Sequence, residues 1–242
     1  MTRARQTAVG LFLAIAVIAS WLAVHVVAVF LLPLDGVALV FAPPLVLLQC
    51  WLSVGLFIVA HDCMHGTLAP GRPALNHAVG RLALALYAGF SFDRLARKHF
   101  EHHRHAGTAA DPDFDADHPR HFWPWYQRFF SQYFGARELC VLALAVTAYL
   151  LVLDASLANL LLFWALPAIL SSLQLFLFGT YLPHRAGDEP FADRHRARSN
   201  GFGPALSLLT CFHFGYHHEH HRSPATPWWR LPAERALSVK AR

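Results

Sequence analysis

Four uninterrupted apolar stretches decide most of what this chain can become: Val9 to Leu32, Val37 to Ala60, Leu139 to Leu153 and Leu157 to Leu182. A lipid core of about 30 Å takes about 20 apolar residues as helix, so three of the four reach across outright and the third is short. Lipid offers no partner to open backbone groups, which leaves helices as the plausible spans. Composition agrees: 55% of the 242 residues are hydrophobic and 14% charged, against roughly 25% charged in soluble domains. The expected fold class is an all-α integral membrane protein with four transmembrane helices. Arg3 and Arg5 precede the first stretch as in a signal peptide, but its length, the lack of a small-residue cleavage pattern and the span that follows at once favour a retained helix.

Charge orients those spans. The links Pro33 to Gly36 and Asp154 to Asn159 hold no Lys or Arg, whereas the N-terminus, the segment Asp62 to Arg137 and the tail after Leu182 hold all of them. The positive-inside rule then places both termini and the large middle segment in the cytoplasm. A further apolar stretch, Ala74 to Phe92, is broken by Asn76 and Arg81 and is expected to lie along the interface. The formal net charge of +5 comes from residues flanking apolar spans, with no basic stripe interleaved with aromatics, so membrane surface fits better than nucleic acid. Cys50, Cys63, Cys140 and Cys211 form no CxxC pair, which argues against a disulfide scaffold or a thiolate zinc site. No repeat or low-complexity linker divides the chain, so one domain over 1–242 is expected.

Seventeen histidines are spread unevenly over this frame. HDCMH, at the end of the second span, sets His61 and His65 four residues apart. KHFEHHRH sets His99, His102 and His103 at i, i+3 and i+4, and FHFGYHHEHH repeats that spacing with His217, His220 and His221. On a helix such residues share one face and can hold a metal together. A lone pair would be discounted as surface decoration, but two copies of one spacing in distant segments are hard to attribute to chance. Flexible metal-scavenging tracts lack helical spacing and are flanked by Gly or Ser. His25, His77, His118, His121 and His195 have no partner at ligand spacing, and His213 stands between ligand and supporting ring.

Imidazole suits zinc, copper, iron and nickel alike, so ligand type alone leaves the metal open. Eight rings at ligand spacing exceed the four that one tetrahedral zinc takes, which implies two ions. The run from His218 to Arg222 does not complete the HExxH of a zinc protease. None of Glu101, Glu138, Glu189, Glu219 or Glu234 opens the Glu-x-x-His motif of soluble di-iron carboxylate proteins. What remains is a nearly all-nitrogen, redox-active pair at a membrane surface, suited to oxygen activation. Ligating rings are usually oriented by a carboxylate or carbonyl on the other nitrogen. Asp62, Glu101 and Glu219 adjoin box histidines, and the run Asp111 to Asp117 offers four more carboxylates or a solvated acidic loop.

With an H-x-x-x-H box and two H-x-x-H-H boxes in this order, the chain resembles the membrane fatty acid desaturase and hydroxylase superfamily. The longer words WLSVGLFIVAHDCMHG, HHRHAGTAADPDFD, FGTYLPHR and SLLTCFHFGYHHEHH, with LAPGRP, LYAGFSF and PWWRLP, resemble the bacterial β-carotene ketolases over nearly the whole length. The resemblance implies a cytosolic histidine-rich di-iron cap that uses O2 and an external electron donor of the ferredoxin kind. It implies oxidation of the C4 methylene of a β-ionone ring to a ketone by two successive hydroxylations. β-Carotene would pass through its monoketone, echinenone, to the diketone canthaxanthin, and zeaxanthin to astaxanthin. It adds His184, in YLPHR, to the eight spaced histidines as a ninth ligand. Beside the rings, Asp62, Glu101, Asp117, His218 and Glu219 are expected as supporting groups. The bacterial inner membrane is the expected site, with a redox partner protein and a carotenoid drawn from the surrounding lipid.

A long apolar substrate reaches such a centre from the bilayer. Span ends suggest a slot lined by Leu56, Phe57, Phe90, Leu175 and Phe178. Trp123, Trp125, Trp228 and Trp229 could line it too, although aromatic belts at the interface are their commoner use. Two other lipid oxidations stay in view, acyl desaturation and 3-hydroxylation of the same ring. A metal transporter is the non-enzymatic alternative, but it would place its ligands within the spans near the midplane.

Overall fold

All four apolar stretches form helix in the computed structural model, which describes residues 1–240 and holds no strand among them. Helix α1 (Arg3–Val26) runs on into a wider π turn at Val27–Leu31, and Thr2 caps its start by accepting from the Arg5 N–H. Helix α2 (Ala38–Met64) follows the Pro33 to Gly36 link and continues through His61. The last apolar stretch is α7, Leu157–His184, the third helix long and apolar enough to cross a membrane.

The third stretch differs from the expectation of an independent span. Helix α6 (Ala136–Leu151) has 16 residues, about 24 Å at 1.5 Å per residue, and meets α5 (Phe122–Tyr133) at a 76° bend. Gly135 makes the corner, its N–H donating to Glu138. The molecule is thus a membrane protein with three candidate spans, or four when the bent pair counts as one. Many outward residues on these helices are large and apolar, among them Phe12, Val40, Leu47, Leu144, Leu161 and Ile169. Faces of that kind suit lipid.

Polar side chains stitch the spans where water is absent. Trp21 donates to Ser53 at 3.0 Å, and His25 Nε2 meets the Tyr149 hydroxyl at 2.9 Å. The Asn159 amide donates to the carbonyls of Ala28 and Leu32, both at 2.8 Å, supplying partners that the end of α1 has lost. Helix α7 carries two π turns, Leu161–Ala165 and Leu177–Tyr181, and each lies two residues before a proline, Pro167 or Pro183. Proline lacks an N–H and crowds the carbonyl four residues back. A π turn absorbs that mismatch without ending the helix.

Helix α3 (Pro73–Ala88) packs Ala83, Leu84 and Tyr87 inward against α2 and ends at Gly89, whose φ of 69° is open to glycine at little cost. Ser91 then caps α4 (Phe92–His105). After α7 come α8 (Pro204–Cys211), α9 (His217–Arg222) and α10 (Leu231–Lys240). Phe212 and His213, at φ 48° and 63°, reverse the chain between α8 and α9. Residues other than glycine seldom take that conformation. Here the Phe212 ring stacks on Trp51 at 4.5 Å, in space that a Cβ on Gly55, 2.8 Å from that ring, would close.

Candidate metal centre

Four helix segments deliver the rings: the end of α2, the face of α4, the end of α7 and the short α9. All nine histidines singled out from the sequence converge, and they divide into two clusters. His61, His65, His99, His103 and His220 form one; His102, His184, His217 and His221 form the other. The helical spacing explains the division. On α4 the i and i+4 rings (His99, His103) enter the first cluster and the i+3 ring (His102) the second. On α9 the assignment reverses, with His217 and His221 in the second and His220 in the first. His103 and His221 stack at 4.2 Å between centroids where the clusters abut.

Within the first cluster the Nε2 atoms of His65 and His99 lie 2.7 Å apart, those of His103 and His220 2.9 Å, and those of His61 and His220 3.2 Å. In the second, His221 Nε2 is 3.1 Å from that of His102 and 3.0 Å from that of His217. Neutral imidazole has one donor nitrogen, so converging Nε2 atoms cannot all be satisfied by one another. A cation at about 2.0–2.1 Å from each would set neighbouring ligand atoms about 3 Å apart. His184 Nε2 is buried and lacks any hydrogen-bond partner, the state of a ring that awaits a metal. The donor set fits a metal pair, and the clusters could hold one.

Burial keeps most rings neutral, as ligands must be. It pulls His65 down to about 4, His103 to about 2 with help from the crowding of neighbouring imidazoles, and His99, His217, His220 and His221 well below their ordinary value. His102 moves the other way. Burial works against its charged form too, but the hydrogen bond and charge of Asp111 outweigh it. Asp111 takes the His102 Nδ1–H at 2.9 Å and the Gly107 N–H at 2.8 Å, and is held below the carboxylate range against its own burial. His184 Nδ1 donates to the Arg196 carbonyl at 2.8 Å. Two second-cluster rings are therefore aimed by outer partners.

The supporting groups expected from sequence lie elsewhere. Asp62 accepts from the Trp228 N–H at 3.3 Å and touches no ring. Glu101 is exposed and its side chain makes no hydrogen bond among the described residues, since its α4 position faces away from the clusters. Glu219 is buried against Ser199 and Arg235, tying α9 to α10. His218 meets Asp193 at 2.8 Å, outside both clusters. Asp117 is exposed. Of the acidic run, Asp111 orients a ring, Asp113 accepts from the Tyr133 hydroxyl, and Asp115 accepts from the Asp117 and His118 N–H groups. Alternate residues of a turning loop point inward, and only the fold shows which one reaches a histidine.

One cavity opens onto both clusters, lined by His99 from the first and His102 and His217 from the second. Phe57, Tyr87, Phe90, Phe129, Phe130 and Leu175 make most of its wall, with Met64, Leu95 and Phe214. Of the residues expected from the span ends, Phe57, Phe90 and Leu175 line this cavity. Leu56 is instead fully buried in the α2 core, one helical step round from Phe57. Phe178 lines a separate hollow with Arg185 and Arg198. Trp125 is buried with its indole donating to the Asp113 carbonyl, which makes it part of the packing.

The family model described as fatty acid desaturase matches residues 35–140 and 121–241. The chain belongs to the fatty acid desaturase family, in the branch that holds the β-carotene ketolases. It is 52% identical to a protein named β-carotene ketolase from Paracoccus sp. (strain PC1), over 98% of this chain and 96% of that relative. A second Paracoccus protein of the same name, from strain N81106 / MBIC 01143, is also 52% identical over 97% of this chain and 96% of its own. A protein named zeaxanthin 4-ketolase from Chlamydomonas reinhardtii is 42% identical over 78% of this chain and 43% of its own length.

Proposed function

We propose that this chain is a β-carotene 4-ketolase, an oxidoreductase that converts the C4 methylene of β-ionone rings to a ketone. The observation that carries the reading is the pair of histidine clusters, five rings and four, sharing one aromatic-walled cavity. The nine rings named above serve as ligands to two irons. A metal pair held there supplies the activation of O2, with electrons from an external donor of the ferredoxin class.

The protein's own residues do the rest. Phe57, Phe90, Phe129 and Leu175 give an apolar berth to the ring and exclude water from the bond that breaks. His102 and His184 are held in one tautomer by Asp111 and the Arg196 carbonyl, so that Nε2 stays free to ligate. Two hydroxylations at C4 give a geminal diol that loses water. The reading covers a single domain with four spans, α5 and α6 together making the third and α3 lying along the interface. Both termini and the clusters face the cytoplasm of a bacterial inner membrane, as the Lys and Arg distribution favours.

Expression in bacteria that accumulate β-carotene tests it. The expected pigments are the monoketone and then the diketone, and the purified protein should hold about two irons. Recovery of zeaxanthin alone would make it a 3-hydroxylase instead.

A further inference from the structure

Apart from Tyr87, Ser172 and Thr180, the polar side chains of the cavity wall form one contiguous patch. There Tyr133 donates its hydroxyl to Asp113 Oδ1, Asp113 Oδ2 lies 3.9 Å from His102 Nδ1, and the His102 ring is 6.2 Å from His99 and 6.0 Å from His217. Among the described residues no donor reaches Oδ2: the His102 Nδ1–H is spent on Asp111 at 2.9 Å. Asp113 is nevertheless fixed in place. Its N–H donates to Asp111 Oδ1 at 2.8 Å and its carbonyl accepts from the Trp125 indole at 2.6 Å. A rigid carboxylate with one open acceptor, set in an aromatic pocket beside the metal rings, has no use in binding a hydrocarbon. Burying it costs free energy unless a donor arrives.

We propose that Asp113, held by Tyr133, accepts a hydrogen bond from the hydroxyl of the once-oxidised ring, keeping the 4-hydroxy intermediate in register for its second oxidation. The inference rests on the ketolase reading above. In the first step a C4–H bond breaks and a C4–O bond forms. One oxygen atom of O2 enters the ring carbon and the other leaves as water, with two electrons from the external donor and two protons. The product is now an alcohol, more polar than the substrate, and free to leave for the bilayer. The second step repeats the same exchange on the remaining C4–H, and the geminal diol expels water. A donor–acceptor pair that recognises the alcohol and offers nothing to β-carotene favours completion over release. Asp113 and Tyr133 are positioning residues in this scheme.

The test compares Tyr133→Phe and Asp113→Asn with the unaltered chain in membranes supplied with β-carotene, O2 and reductant. The expected result is a rise of about tenfold in the ratio of 4-hydroxy to 4-keto product, the weight of one hydrogen bond. When the 4-hydroxy carotenoid is itself supplied, its KM rises by a similar factor, and by more than that of β-carotene. Iron content stays at the level of the unaltered chain. An unchanged product ratio with iron retained overturns the inference. So does an Asp113→Asn protein that loses iron beside a Tyr133→Phe protein with normal partition, because Asp113 then serves only His102. If Asp113→Asn does not fold, Tyr133→Phe decides alone. Ketone from the unaltered chain with unchanged partition in the variants sinks this inference and spares the ketolase reading; no ketone at all sinks both.

Discussion

The two histidine clusters draw on the same two helical boxes and are nonetheless built differently. The first gathers five rings, three of them only half-buried, and takes a pair from each of α2 and α4. The second gathers four, all buried, and adds His184 from the end of α7. Fewer rings come with firmer aim: His102 leans on Asp111 and His184 on the Arg196 carbonyl. The lesson is that ring count and outer support trade against each other. Two of the second cluster's four rings are held from outside, while His217 and His221 leave Nδ1 without a partner among the described residues, and it is also the site with two of the three rings that line the cavity. An ion held by four rings would leave more room for a reactant than one enclosed by five.

Removing one ring from each cluster should break this symmetry most visibly. His184→Ala leaves three rings and is expected to cost more than about 100-fold in turnover, beyond the loss that follows removal of an outer partner. It should also lower iron content by one of the pair. His65→Ala leaves four rings, and a loss nearer about tenfold with both irons retained is expected. Metal analysis beside pigment yield checks both. Equal effects, or the reverse order, would mean that the clusters are equivalent.

Asp111→Asn probes outer support alone. A loss of about 10- to 100-fold in retention of the second ion is expected, with the first ion unaffected, read by chelator competition on the purified protein. The same variant sharpens a pH contrast in the metal-free protein. Rings held below the ordinary value of 6.5, such as His65 at about 4 and His103 at about 2, are neutral in the folded chain where the unfolded chain binds protons. Stability from them is full above about pH 6.5 and drains away as pH falls below it. His102, raised by Asp111, contributes in the opposite sense: its share is present at low pH and fades as pH rises through its folded value. Melting temperature should drop by at least about 5 °C per pH unit below 6.5. Asp111→Asn should steepen that drop by turning His102 into one more ring that resists protonation.

The ligand rings were legible in the sequence because they obey helical periodicity: i, i+3 and i+4 on one face survive any rigid placement of α4 and α9. Their division into two clusters was not legible, since it depends on how the two helices face each other. Asp111 is one of four carboxylates in a loop, where no period applies and nothing in the sequence separates it from the exposed Asp117. The Arg196 carbonyl carries no side-chain signal at all. In the slot, Phe57 and Leu56 are neighbours separated by one helical step, and only packing against α3 and α7 says which looks into the cavity. Phe178 sits inside the π turn Leu177–Tyr181, where an extra residue shifts the register on which the sequence reading relied. The first, second and fourth spans followed from hydropathy. The 76° corner at Gly135 did not, because the 16 residues of α6 look alike whether or not α5 continues them.

The smallest expected effect concerns what holds the clusters at their separation. Phe214 touches both: its ring is 4.8 Å from His61 in the first and 5.0 Å from His217 in the second. Gly179, in the π turn before His184, leaves the space in which that ring sits, and a Cβ there would lie 2.5 Å from it. Gly179→Ala must therefore push Phe214 toward the rings. Overpacking of this kind costs about 1–3 kcal/mol, so melting should fall modestly and turnover should fall only a few-fold. Iron content should hold, because no ligand is lost. The informative readout is magnetic coupling between the two irons in the loaded protein, which depends on their spacing. A change in coupling without loss of metal would identify Phe214 as the wedge that sets one cluster against the other. Unchanged coupling alongside reduced stability would leave it as ordinary packing, and the separation would then be fixed by the His102–His103 and His220–His221 pairs alone.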